Sequence, residues 1–255
     1  MQNNSIKASC LAGETVAGAM VFEFFSPGIA KILSDTGCQF VIYDMEHTGL
    51  GLETLKTLFA TCRGVPIEPM VRVPRGDYAF LARALDIGAT GVMIPMVESA
   101  EHATQIASAC RYPPTGRRGA AFGFAHDDYE SGSVLAKIET ANERTMVIAQ
   151  IETERGLENL EAIAAVPGID VLWLGHFDLT NFLGIPGDFD HPRFDAAMRE
   201  IAAVARKHGK AAGFMATDHA WVERARQSGY NMIAIGSDIS LLSAGASQLI
   251  EQVNS

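Results

Sequence analysis

Four short segments of the chain carry polar side chains of the kinds that transfer protons, bind oxyanions and coordinate hard metals. YDMEH supplies Asp44, Glu46 and His47, VRVPR supplies Arg72, AQIET supplies Gln150 and Glu152, and GHFDL supplies His176 and Asp178. Glu152 and Asp178 form a carboxylate pair that offers a divalent cation two hard oxygen donors and leaves coordination places open. The plainer reading makes them carboxylates bonded to nearby backbone or to an arginine. Gln150 and Glu152 are two residues apart and so project to the same side of a strand. Asp44 precedes His47 by three residues, a spacing that lets a carboxylate orient an imidazole as a general base, although a lone histidine there is also explained structurally. Arg72 either holds a structural ion pair with a carboxylate or binds a substrate oxyanion.

Other chemistries fit the chain less well. Imine formation needs a desolvated lysine beside the substrate, whereas Lys7, Lys31, Lys56, Lys137, Lys207 and Lys210 fall in expected helices, loops or a strand start. There is no G-x-S-x-G elbow, and no cysteine stands at a strand end with a histidine in a nucleophile pattern. The GSD tripeptide ending at Asp238 resembles a helix start that holds a phosphate or carboxylate, but turn and cap roles explain it equally.

The elements that must position these groups are legible as a rhythm. Eight apolar runs recur, at 17–24, 40–45, 68–73, 91–97, 146–152, 171–178, 211–216 and 232–238. Nearly continuous apolar runs indicate strands buried on both faces, and their alternation with amphipathic stretches indicates parallel βαβ connections. Helices are expected at 29–36, 78–87 and 194–208, each stopped by a glycine. Eight such units predict a single-domain (β/α)8 TIM barrel covering 1–255. An open doubly wound sheet is the alternative, but FEFFSPG after the first run is not a phosphate loop. Barrel active sites form at the C-terminal ends of strands, where all four polar segments fall. The long connection 111–138 contains RYPPTGRRGAAFGFAHDDY and suits an ordered loop over the active site.

A net charge of −10 argues against nucleic acid and anionic membrane as partners but permits a small anion held by one or two cations. The four cysteines form no C-x-x-C pair, which suits a reducing cytosol. No signal-peptide pattern or membrane span is evident, so a soluble cytoplasmic protein is expected.

YDMEHTG, VRVP, GVMIPMVESAEHA, RYPPTGRRG, QIETERGLENLEAIAAVPGID and WLGHFDLT occur in that order. Together they resemble the HpcH/HpaI aldolase family, metal-dependent class II aldolases that cleave 4-hydroxy-2-oxoacids, from about Ala8 to the last helix. The resemblance implies retro-aldol cleavage to pyruvate, or a close 2-oxoacid such as hydroxypyruvate, and an aldehyde. It implies Glu152 and Asp178 as ligands of Mg²⁺, Mn²⁺ or Co²⁺, His47 supported by Asp44 as the base, Arg72 beside the substrate, and Gln150 beside the metal. Asp86 matches an aspartate that reaches a neighbouring subunit's site, and the expected assembly is a hexamer, a trimer of dimers, with C-terminal helices exchanged between subunits. The family's G-P-x-D-L-S is replaced here by Gly175, His176, Phe177, Asp178, Leu179 and Thr180, all but the last two expected at the substrate. A citrate-lyase-like or malyl-CoA-like lyase and a non-catalytic small-acid-binding barrel are the alternatives.

Overall fold

The computed structural model describes residues 5–254. After helix α1 (Ser5–Leu11), strands and helices alternate through β1 (Val16–Val21), α2 (Ile29–Asp35), β2 (Phe40–Asp44), α3 (Leu52–Thr61), β3 (Glu68–Arg72), α4 (Tyr78–Asp86), β4 (Gly91–Ile94) and α5 (Ala100–Ala109). They continue through α6 (Val134–Arg144), β5 (Met146–Ile151), the short helices α7 (Glu154–Glu158) and α8 (Leu160–Ala164), β6 (Val171–Leu174) and α9 (His176–Phe182). The chain ends with α10 (Pro192–Lys207), β7 (Ala211–Met215), α11 (His219–Ser228), β8 (Met232–Ser237) and α12 (Asp238–Asn254). The eight strands are parallel, each pairs with the next, and β8 pairs with β1, so the sheet closes. This is the single-domain (β/α)8 barrel that the eight apolar runs predict.

Strand residues alternate between two cores, as the two-residue period requires. Val41, Tyr43, Val71, Val147, Ala149 and Leu172 face the helices. Phe40, Ile42, Met70, Met93, Met146, Ile148, Val171 and Trp173 fill the barrel. A glycine on the inward series makes room for the largest of these, since a Cβ on Gly213 would lie 2.1 Å from the Trp173 ring. Continuing the inward series toward the C-terminal rim, by one step on β2, β3 and β6 and by two on β5, places Asp44, Arg72, Gly175, Gln150 and Glu152 around the barrel mouth.

At the β1/β8 seam, the Asp238 carboxylate accepts from the amides of Phe22, Glu23 and Phe24 at 2.9, 3.0 and 2.6 Å. The GSD segment therefore has its carboxylate engaged in closing the barrel, while Ser237 and Ser240 cap the helix start through reciprocal side-chain bonds.

Two sequence expectations need correction. The sixth run is a strand only to Leu174, so His176 and Asp178 stand in the first turn of α9 and not on the strand; Gly175 breaks the run with its own backbone geometry. The long connection does not cover the barrel mouth of its own chain. It leaves the end of α5 and returns through α6 to the start of β5, so both its ends lie at the N-terminal end of the barrel, while residues 117–119 run up the outside against Tyr78 at the start of α4. At the N-terminal end Arg111 bonds the Thr145 carbonyl at 2.9 Å and pairs with Asp170 at 3.2 Å, both residues just preceding strands. Its prolines and aromatics order an insertion on the face opposite the polar cluster.

Candidate active site

Asp44 ends β2 completely buried, and a buried carboxylate requires partners. It accepts from Nε of Arg72 at 2.6 Å and from the backbone amides of Glu46 and His47 at 3.2 and 2.9 Å. Asp44 thus shapes the turn after β2 and holds Arg72; it does not orient the His47 imidazole, which corrects the expected dyad. The ring faces Glu46 instead, with Nε2 3.6 Å from its carboxylate, and His47 is 56% exposed at the mouth, where a base can exchange protons with water.

Arg72 is buried, clasped between Asp44 and Glu46, with its second nitrogen 3.2 Å from Glu46 and its guanidinium over the Phe22 ring at 5.6 Å. These contacts lock the planar fork in one orientation. Burial raises the Glu46 carboxyl above the usual carboxylate range, Arg72 opposes the rise, and the negative charges of Asp44 and Asp178 add to it.

Glu152 follows β5 and is buried. Its Oε1 accepts from the Met96 amide at 2.7 Å, and its Oε2 accepts from Nε2 of Gln150. A Cβ on Gly175 would lie 2.3 Å from Oε2 and 2.8 Å from Nε2 of Gln150, so the carboxylate and amide occupy space that only glycine leaves open. Burial pushes the Glu152 pKa up to about 7, the two hydrogen bonds pull it down, and Glu46 and Asp178 push it up further. The carboxylates of Glu46, Glu152 and Asp178 therefore repel one another at one mouth, and the buried Oε1 of Gln150 has no hydrogen-bond partner, while Oε2 of Glu46 has the Arg72 ion pair at 3.2 Å but no hydrogen bond. That donor set suits a divalent cation, which would relieve the repulsion. Among the described residues no group of three or more His, Cys, Asp or Glu side chains is arranged to hold a metal ion. Glu152 and Asp178 would make an open site.

The remaining expected residues lie apart. His176 is buried in an aromatic layer, with ring centroids of Phe177, Phe189, Phe214 and Trp221 at 4.5, 5.5, 5.1 and 5.8 Å. Phe214 belongs to the outer core, so the imidazole packs between barrel and helices and does not face the carboxylates. Phe177 is 58% exposed at the rim. Asp86 ends α4 at the N-terminal side, bonded to Arg118 at 2.6 Å, and no contact brings it to Glu152 within the chain. Sequence reasoning gave Glu46 no role, although YDMEH displays it, and it missed Phe22 and Met96. Met96 acts through its amide, for which side-chain chemistry gives no signal.

Residues 20–244 match the family model described as HpcH/HpaI aldolase/citrate lyase. A hydroxypyruvate/pyruvate aldolase of Chromohalobacter salexigens is 36% identical over 99% of this chain and 98% of its own length. A 2-keto-3-deoxy-L-rhamnonate aldolase of Klebsiella pneumoniae is 34% identical, covering 94% of this chain and 89% of its own. A crystal structure of an HpcH/HpaI aldolase/citrate lyase family protein from Burkholderia cenocepacia superimposes with a TM-score of 0.92 at 32% identity, over 99% of this chain and 100% of that one. The barrel, the carboxylates at its mouth and these matches along nearly the whole chain lead to one assignment: the chain belongs to the HpcH/HpaI aldolase/citrate lyase family.

Proposed function

We propose that this chain cleaves a 4-hydroxy-2-oxoacid reversibly to pyruvate, or to hydroxypyruvate, and an aldehyde. Glu152 and Asp178 hold a divalent cation, Mg²⁺, Mn²⁺ or Co²⁺, in this reading. The chain is an enzyme, a carbon–carbon lyase of the aldolase type, in keeping with its relatives. The observation that carries the site is the buried Glu152 with each oxygen held by a separate donor, crowded by Glu46 and Asp178 and close to a locked arginine.

When bound, the cation supplies Lewis-acid polarisation of the 2-oxo group. The residues divide the remaining work. His47, exposed at the mouth beside Glu46, takes the proton from the 4-hydroxyl. The C3–C4 bond then breaks, its electron pair passing to the 2-oxoacid fragment while C4 becomes the aldehyde carbon. Arg72, immobilised by Asp44 and Glu46, donates to the oxygen on which negative charge grows. A proton returned to C3 completes the 2-oxoacid product. Gln150 orients Glu152, Gly175 leaves it room, and Phe177 lines the approach of the aldehyde end. His176 sets the position of Phe177 by packing against its ring.

Asp86 completes the mouth of a neighbouring subunit in this reading, and α12 docks on that neighbour in a hexamer. The support is that Asp238 is the only buried residue of α12 while Leu242, Leu249, Ile250 and Val253 are exposed. Four free cysteines, all buried, suit the reducing cytoplasm as the place of work.

Pyruvate formation should vanish in EDTA and return with Mn²⁺ or Mg²⁺. Borohydride added with pyruvate should leave the chain's mass unchanged, because all six lysines lie in helices or before a strand, away from the barrel mouth. A pyruvyl-lysine adduct by mass spectrometry would assign the reaction to imine chemistry instead.

A further inference from the structure

Two consecutive amides after β4 point at the same neighbouring strand. Met96 donates to Oε1 of Glu152 at 2.7 Å, and Val97 donates to the Gln150 carbonyl at 3.2 Å. In an extended strand successive N–H groups face opposite sides, so a continued β4 would direct only one of them toward β5. Met96 allows both because its backbone is left-handed, with φ +54°. Successive amides flanking such a residue turn to one side, as in anion-binding backbone concavities. Side chains other than glycine's crowd the backbone in this region. Among the described residues the other non-glycine positions of this kind are Asp128 and Tyr129, in the insertion on the opposite face.

We propose that Met96 is a positioning residue whose left-handed backbone aims an amide into the barrel mouth and fixes the plane of the Glu152 carboxylate toward the cation site. The inference rests on the reading of Glu152 as a cation ligand. A carboxylate turns broadly about its last torsion, so one donor leaves its plane undetermined. Gln150 takes Oε2 in the space that Gly175 leaves open, while Met96 takes Oε1. The Met96 side chain is 40% exposed, so replacing it does not hollow the core and any effect travels through the backbone.

Calorimetric titration of Mn²⁺ into the folded, substrate-free chain tests this, with the melting temperature of each variant measured alongside. Met96→Gly, which adopts left-handed backbone freely, should bind Mn²⁺ as the wild type does. Met96→Val, whose β-branch disfavours that conformation, should lose affinity by ~10-fold or more, the usual consequence of removing an outer-shell partner of a metal ligand. Met96→Thr, β-branched like valine, should also lose affinity, and it decides the matter if the valine variant does not fold. A folded valine or threonine variant with wild-type affinity, even with a lowered melting temperature, would reduce Met96 to a turn residue and overturn the proposal. Loss of affinity in Met96→Gly would equally contradict it, since the backbone would not be the agent. Glu152→Ala serves as the separate control: if it binds Mn²⁺ like the wild type, the reading of Glu152 fails and the positioning role fails with it.

Discussion

Arg72 carries structural ion pairs and, in the proposed reaction, a chemical role as well. Its pairs with Asp44 and Glu46 fit the structural reading of a buried strand-end arginine, and the same contacts fix the guanidinium that the proposed reaction uses. Arg72→Lys separates the roles, because lysine keeps the charge and loses the fork. We expect kcat for pyruvate formation to fall by about 10²–10³, ~3–4 kcal/mol, with a smaller change in KM, as for removal of a donor to a developing oxyanion. A lowered melting temperature with kcat per folded enzyme unchanged would leave Arg72 a purely structural role. The identity of these residues was legible in the sequence because buried polar side chains at strand ends are costly and hence conspicuous. Their partners were less so. That Asp44 serves Arg72 and two backbone amides, and not the His47 ring, depends on where a turn directs each group, which residue spacing does not specify.

At the level of elements, strand order and closure followed from eight two-face-buried runs, but the ends of those runs did not. VLWLGHFD reads as one apolar stretch, and only the turn at Gly175 converts its last residues into the start of α9. The insertion between α5 and α6 was misplaced for a topological reason: a connection after a helix returns to the N-terminal end of a barrel, and sequence composition does not reveal on which side of a helix a loop lies. Within the chain its contacts hold the insertion together. Tyr112 stacks under Arg118 and approaches His126 at 3.4 Å. Burial holds the His126 pKa below the usual histidine range; Arg118 and Arg144 lower it further, while Asp86 and Asp127 oppose them. The unfolded chain takes up this proton near pH ~6.5 and the folded one only at lower pH, so His126 makes stability fall as pH drops below that value. His126→Gln should flatten the decline in melting temperature between pH 7 and 5. An identical decline in both proteins would remove His126 as its source.

For the whole molecule, the net charge permits a small anionic substrate held by Arg72, and the exposed apolar residues of α12 suit the partner surface of the proposed assembly. Leu242, Leu249 and Val253 recur on one helical face beside Ile250. If the proposed hexamer forms through α12, introducing Leu249→Glu and Ile250→Glu together should give smaller species than the wild type in sedimentation velocity and lower activity, as the proposed role of the neighbour's Asp86 requires. An unchanged sedimentation profile would overturn the proposed docking of α12. The claim on which the rest depends is that Glu152 and Asp178 hold the cation at which the 2-oxoacid reacts. Its most direct test is the Mn²⁺ dependence of pyruvate release by the wild type, Glu152→Ala and Asp178→Ala, each stripped with EDTA and each shown to be folded. The wild type should show a saturable Mn²⁺ response and neither variant any, because a site with two protein ligands does not keep useful affinity after losing one. Either variant releasing pyruvate at the wild-type rate with the wild-type Mn²⁺ response would contradict the claim.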